Sequence, residues 1–182
     1  MKKAFVFLAE GFEEIEAISV IDVLRRGEVD THAVSITGEY MVKGSHEIGV
    51  EANSLFEDTE FFDVDILILP GGGPGSKNLN KHDGLKALIS DFHRKGKWIA
   101  AICAAPLVFG RMGLLQGKRA TCYPGMESTL TGAVIQPDPV VVDGNIITGK
   151  GPGFAAAFGL RIVQELQGRA KADEVATDLL LT

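Results

Sequence analysis

A thiol, a carboxyl group and two glycine-rich turns are the groups in this chain best suited to covalent chemistry on a carbonyl. Cys103 ends the run Lys97-Trp98-Ile99-Ala100-Ala101-Ile102 and precedes Ala104-Ala105-Pro106. The apolar residues before it have the pattern of a strand covered on both faces. Pro106 and the spacing of Leu107, Val108, Phe109 and Met112 predict a helix after it. Free backbone N–H groups and the helix dipole at such a junction favour negative charge, which predicts a lowered thiol pKa. A buried, inert cysteine fits the same pattern, because Cys is among the most buried residue types.

Glu16 is the second such residue. On a helix over residues 13–26, a turn of about 100° per residue gathers Ala17, Val20, Val23 and Leu24 into one apolar arc. Glu16 falls inside that arc. A carboxylate facing a core is costly unless it is paired or protonated, and burial raises its pKa. Such a group can move a proton near neutral pH. The plainer reading is a helix-start carboxylate favoured by the dipole, which is also how Glu13 and Glu14 read.

Pro70-Gly71-Gly72-Gly73-Pro74-Gly75-Ser76 follows the apolar run 66–69. Glycines at the carboxyl end of a strand let backbone N–H groups face a ligand, as an oxyanion site requires. Neither a phosphate-binding loop nor a dinucleotide fingerprint fits, so the alternative is an ordinary turn. Gly149-Lys150-Gly151-Pro152-Gly153 offers either a second set of N–H groups or close packing at a strand-to-helix turn. The histidines are His32, His46, His82 and His93, all before Cys103, and residue 104 is Ala. A Cys-His peptidase mechanism is therefore poorly supported, and no metal-ligand spacing is present. His46 and His82 read as surface residues. Cys122 reads as a packing residue late in a strand, with Tyr123 beside it and able to face Cys103 if that strand borders the central one.

Strand patterns at residues 3–9, 31–37, 65–70, 97–102, 119–123 and 140–148 must position these groups. Helical patterns at 13–26, 85–94, 104–115, 154–167 and 172–181 alternate with them. Alternation of this kind predicts a mostly parallel sheet covered by helices on both faces, with its site at the carboxyl ends of the strands. Residues 40–51 suggest a hairpin or edge extension, and 140–148 a hairpin turning at Asp143-Gly144-Asn145. The 182 residues are 46% hydrophobic and 23% charged with a net charge of -6, which predicts one globular domain over 1–182. That acidity, without a basic stripe, argues against nucleic acid as a partner. No segment is long enough to span a membrane, the apolar start is too short for a signal peptide, and two cysteines do not make a disulfide scaffold. A reduced, cytoplasmic protein is expected.

Ala9-Glu10-Gly11-Phe12-Glu13-Glu14-Ile15-Glu16, Leu69-Pro70-Gly71-Gly72, Ala100-Ala101-Ile102-Cys103-Ala104-Ala105-Pro106 and Gly151-Pro152-Gly153 occur in that order. Together they resemble the DJ-one (ThiJ) branch of the ThiJ/PfpI superfamily, from the first strand to the terminal helix. The resemblance implies an α/β fold: a flavodoxin-like three-layer sandwich with a mostly parallel sheet, a strand-to-helix nucleophile elbow and a homodimeric assembly. It implies that Cys103 is the elbow cysteine, in a strained backbone conformation, and that Glu16 hydrogen-bonds it while protonated. It also implies that the Gly72 and Ala104 N–H groups line an anion site. Tyr123 stands where several members carry a histidine beside the cysteine, which argues against a peptidase triad, and His46 aligns loosely with a basic residue at a dimer interface near the partner's cysteine. The implied activity is that of a cofactor-independent glyoxalase or deglycase acting on methylglyoxal and glyoxal adducts, with small reactive aldehydes or glycated groups as partners. A cysteine-based redox sensor or redox-regulated chaperone is the alternative.

Overall fold

The structure, a computed structural model, describes residues 1–181. Its strands are β1 (Lys3–Leu8), β2 (Asp30–Ser35), β3 (Met41–Lys43), β4 (Gly49–Glu51), β5 (Ser54–Leu55), β6 (Ile66–Leu69), β7 (Trp98–Ile102), β8 (Arg119–Ala120), β9 (Val134–Ile135), β10 (Val140–Asp143) and β11 (Ile146–Gly149). Its helices are α1 (Glu14–Arg26), α2 (Gly73–Lys81), α3 (Asp83–Arg94), α4 (Pro106–Arg111), α5 (Ala155–Gln167) and α6 (Arg169–Asp178). Among the described residues, seven strands form the central sheet in the order β10-β11-β7-β6-β1-β2-β5. All its pairings are parallel except β10 with β11.

Successive residues of a strand face opposite sides, and here both sides are apolar. Ala4, Val6, Leu8, Ile66, Ile68, Ala100 and Ile102 pack with residues of α1, α5 and α6. Phe5, Phe7, Leu67, Leu69, Ile99 and Ala101 pack with residues of α2, α3 and α4. Continuous apolar strands between two helical layers make the expected three-layer α/β sandwich. Chain order reverses around β1, which lies between β2 and β6, so the carboxyl ends of β1, β6 and β7 form one crevice.

Several local expectations differ. The glycine-rich turn after β6 opens α2, because Pro74 sits in the first turn of a helix, where its missing N–H is no loss. The helix expected over 104–115 shrinks to α4, with a turn at residues 103–105 before it. The strand expected over 119–123 stops at Ala120 and pairs with β9 outside the central sheet. The place beside β7 is taken by β11, whose register sets Ile146 opposite Ile99. The hairpin expected within 40–51 is present as the antiparallel pair β3–β4, detached from the main sheet. Asp143 pairs with Ile146, so the second hairpin closes through Gly144 and Asn145. No helix among the described residues is long and apolar enough to cross a membrane.

Candidate active site

Cys103 leaves β7 with φ 64°, one of four non-glycine residues with a left-handed conformation among the described residues. A side chain there costs about 1–3 kcal/mol and persists only where its surroundings hold it. The Cys103 N–H donates to the Gly149 carbonyl at 2.9 Å, and the Cys103 carbonyl accepts from the Tyr123 N–H at 2.9 Å. The elbow is thus fixed on both sides by backbone bonds. These bonds bring Tyr123 to the cysteine, although it lies past the end of β8 and β8 does not border β7.

Glu16 lies on the buried face of α1 and is 0% exposed. The Gly71 N–H donates to Glu16 Oε2 at 2.7 Å, while Oε1 is buried without a hydrogen-bond partner. The N-terminus of α1 is pinned over this point: the Glu13 N–H donates to Gly71 O at 3.0 Å and the Gly75 N–H to Gly11 O at 3.0 Å. A Cβ at Gly71 would lie 2.5 Å from Glu16 Oε2 and 2.6 Å from Cys103 Cβ. Gly72, at φ 88°, is in the left-handed region where a side chain is strained, and a Cβ there would meet the backbone of Gly11, Phe12 and Glu13. Gly71→Ala is expected to force the carboxyl and the thiol apart. Overpacking of this kind costs about 1–3 kcal/mol, and misplacing the reacting groups by about 1 Å costs about 10²-fold in turnover. Thermal melts and steady-state kinetics check this; wild-type turnover in Gly71→Ala would refute it.

Burial raises the pKa of Glu16 to about 7, against hydrogen bonds from Cys103 and the Gly71 N–H. The Cys103 thiol is also pushed up, to about 12, first by burial and then by the charge and hydrogen bond of Glu16. The lowered thiol pKa expected from sequence is therefore not met: burial outweighs the dipole and the N–H donors, and an ionised Glu16 adds to it. Hydrogen bonds from the Gly72 and Ala104 N–H groups pull the thiol down, and these favour a sulfur anion. Two buried groups this close titrate as a pair. Once Glu16 holds a proton, its charge no longer opposes the thiolate and its O–H becomes a third donor. The fully buried carboxyl has one N–H donor, whereas the slightly exposed sulfur has two. Of the two one-proton states, protonated Glu16 beside thiolate Cys103 is the better solvated.

Cys103, Gly72, Ala104, Tyr123 and His46 line one open cavity of about 560 Å³, together with Glu13, Ile15, Ser45 and Pro152. His46 is placed there by Glu14, whose burial sequence reasoning missed. Glu14 Oε1 accepts the His46 N–H at 2.7 Å, and Oε2 lies 2.9 Å from His46 Nδ1. Ser45 Oγ lies 3.2 Å from both Glu13 and Glu14. Burial pushes Glu14 upward, yet these bonds and those from its own and the Ile48 N–H hold it at about 2. A folded value below the ordinary 4.5 favours folding above that pH, and this contribution is lost as pH falls toward about 2. Glu14→Ala is expected to destabilise by about 1–3 kcal/mol by stranding these donors. The difference should shrink in acid melts; a pH-independent difference would refute the assignment. Donor atoms of Glu13, Glu14 and His46 approach within 4.8 Å of one another, and their ion pairs account for that proximity.

The remaining candidates lie elsewhere. Cys122 belongs to the hydrophobic cluster on the α2–α4 side, whereas Cys103 belongs to the other, and burial pushes Cys122 up to about 11. His82 Nδ1 caps α3 by accepting the Leu85 N–H at 3.0 Å. Gly149 serves close packing, since a Cβ would sit 2.9 Å from Ile102 and 2.8 Å from Phe158.

Residues 2–165 match the DJ-1/PfpI family. The chain is 39% identical over 182 residues to Protein DJ-1 homolog B of Arabidopsis thaliana, covering 99% of this chain but only 42% of that protein. It is 31% identical over 189 residues to the glutathione-independent glyoxalase DJ-1 of Schizosaccharomyces pombe, covering 98% of each. A DJ-1 superfamily protein from Salmonella typhimurium superimposes with a TM-score of 0.94 at 36% identity, covering 99% of this chain and 98% of the other. This chain belongs to the DJ-1/PfpI family.

Proposed function

We propose that this protein is a cofactor-independent glyoxalase that turns methylglyoxal and glyoxal into 2-hydroxy acids, and acts on their adducts with amines and thiols as a deglycase. The observation that carries this reading is Cys103 beside two backbone N–H groups, with the buried carboxyl of Glu16 next to it. The thiolate attacks the aldehyde carbon, and the Gly72 and Ala104 N–H groups hold the resulting oxyanion. Glu16 gives its proton to that oxygen, leaving a hemithioacetal and a carboxylate. The carboxylate removes the hydrogen from the aldehyde carbon and returns it to the neighbouring carbon. The hydroxyl proton passes to the former ketone oxygen, giving a 2-hydroxyacyl thioester on Cys103. Water then releases the hydroxy acid. The aldehyde is oxidised and the ketone reduced within one molecule, so the sequence needs no external redox cofactor.

A glutathione-free NMR assay tests the reading. Lactate should appear from methylglyoxal with wild-type protein, and no lactate above the protein-free rate would refute it. A cytoplasmic, reducing location suits a chain with two free cysteines and a site that needs a free thiol. A homodimer is also proposed, because α1 presents Ile15 and Ile18 at 57% and 44% exposure beside the cavity. Sedimentation should give twice the chain mass, and a monomer at working concentrations would refute that part.

The second reading is a redox sensor or redox-regulated chaperone. It is favoured by the N–H donors at Cys103, which suit sulfinate oxygens as well as an alkoxide. Graded peroxide followed by intact-mass mapping should add oxygen to Cys103 first; prior oxidation of Cys122 would defeat it.

A further inference from the structure

We propose that His46, held by Glu14, is the general base that activates the water releasing the acyl group from Cys103. The inference rests on the glyoxalase reading for the acyl group's identity, and on geometry for the base. Glu14 is buried and ionised, and an ionised carboxylate only accepts hydrogen bonds. The 2.9 Å contact therefore puts the imidazole proton on Nδ1 and leaves the Nε2 lone pair free. Among the described residues, no hydrogen bond to Nε2 is found, and the His46 side chain is 68% exposed. The ring lines the cavity that holds Cys103, Gly72 and Ala104. A carboxylate–imidazole pair at a cavity wall is the arrangement that general bases use.

The other groups there are poorly placed for this step. Glu16 is 0% exposed, so its carboxylate does not face the water of the cavity. Ile15, Gly73, Met126 and Pro152 accept no proton. The charged and titratable groups facing His46 are Glu13 and Glu14 from α1, Lys43 and Glu47 from its own hairpin, and Cys103 and Tyr123 across the cavity. Lys43 and Glu47 pair with each other at 3.1 Å, so the net field at the ring is acidic. The hydrogen bond to Glu14, followed by the charge of Glu13, raises the His46 pKa, which strengthens it as a base.

The step balances. Water oxygen bonds to the thioester carbon, its proton goes to Nε2, and the Gly72 and Ala104 N–H groups hold the oxyanion. Collapse breaks the C–S bond and expels the thiolate. The product acid gives its proton to the Glu16 carboxylate, which restores the resting pair, and His46 releases its proton to solvent.

The test does not require aldehyde turnover. Cys103 is acetylated with p-nitrophenyl acetate, and loss of the acetyl group is followed by intact mass across pH. In wild type the rate should fall on the acid side as His46 gains a proton. His46→Gln, which retains a donor for Glu14, should deacylate about 10²–10³-fold more slowly and lose that limb. Added imidazole should restore the rate in His46→Ala. With methylglyoxal, His46→Gln should accumulate protein heavier by one lactoyl group. Equal rates and equal pH profiles in wild type and His46→Gln would overturn the proposal. If wild type yields no lactate while acetyl loss still depends on His46, the glyoxalase reading fails and the base assignment stands.

Discussion

Exchanging Cys103 for alanine should return lactate formation to the protein-free rate. The loss should exceed the roughly 10²–10⁴-fold attributable to proton transfer alone, because the covalent route itself disappears. The fold should survive. Cys103 is 8% exposed at the cavity, and its position is set by backbone bonds to Gly149 and Tyr123 that alanine keeps. Alanine also has to accept the left-handed conformation at this position, so its melting temperature should change little. The check is lactate by NMR with matched melting curves. Residual turnover in a folded Cys103→Ala protein would move the chemistry to another group, and Cys122, buried in the opposite cluster, is badly placed to provide it.

Glu16→Gln separates nucleophile from proton carrier. Glutamine keeps the shape and a donor for sulfur but cannot carry a proton between two carbons. Lactate formation should drop about 10²–10⁴-fold, while alkylation of Cys103 by iodoacetamide stays within about tenfold of wild type, because the Gly72 and Ala104 N–H groups still support the thiolate. The same substitution should alter the stability profile. A folded pKa of about 7, raised above the ordinary 4.5, favours folding below 4.5, and this contribution is lost as pH rises through about 7. Glu16→Gln, which has nothing to ionise, should lose less stability than wild type across that interval. Equal losses of alkylation and turnover would mean that Glu16 serves only to hold the thiol.

Much of the frame was legible because apolar strands between two helical layers have few alternatives. The runs that became β1, β6 and β7 are apolar on both faces, and the phase of α1 alone turned Glu16 inward. What escaped depended on contacts between distant residues or on ambiguous punctuation. Gly73-Pro74-Gly75 reads as a turn, yet proline in a first helical turn loses nothing, so α2 starts there. Glu14 looked like an ordinary helix-start acid, and its burial arises from the β3–β4 hairpin folding back 32 residues later to donate its His46 N–H. Residues 119–123 have strand character, but the hairpin that follows supplies β11 as the better partner for β7. The helix dipole suggested a depressed thiol pKa, and only the packed site reveals that burial opposes it, joined by the charge of Glu16 when that carboxyl is ionised.

The most direct measurement is the carboxyl carbon shift of Glu16, followed by NMR across neutral pH in wild type and in Cys103→Ala. A single proton shared with a thiolate predicts a protonated carboxyl in wild type through neutrality and beyond. In Cys103→Ala the same carboxyl should still titrate, at or above about 7, because the burial that raises it remains while the Cys103 hydrogen bond that lowers it is gone. An ionised Glu16 beside a neutral Cys103 thiol in wild type at neutral pH would contradict the thiolate-and-carboxyl pair.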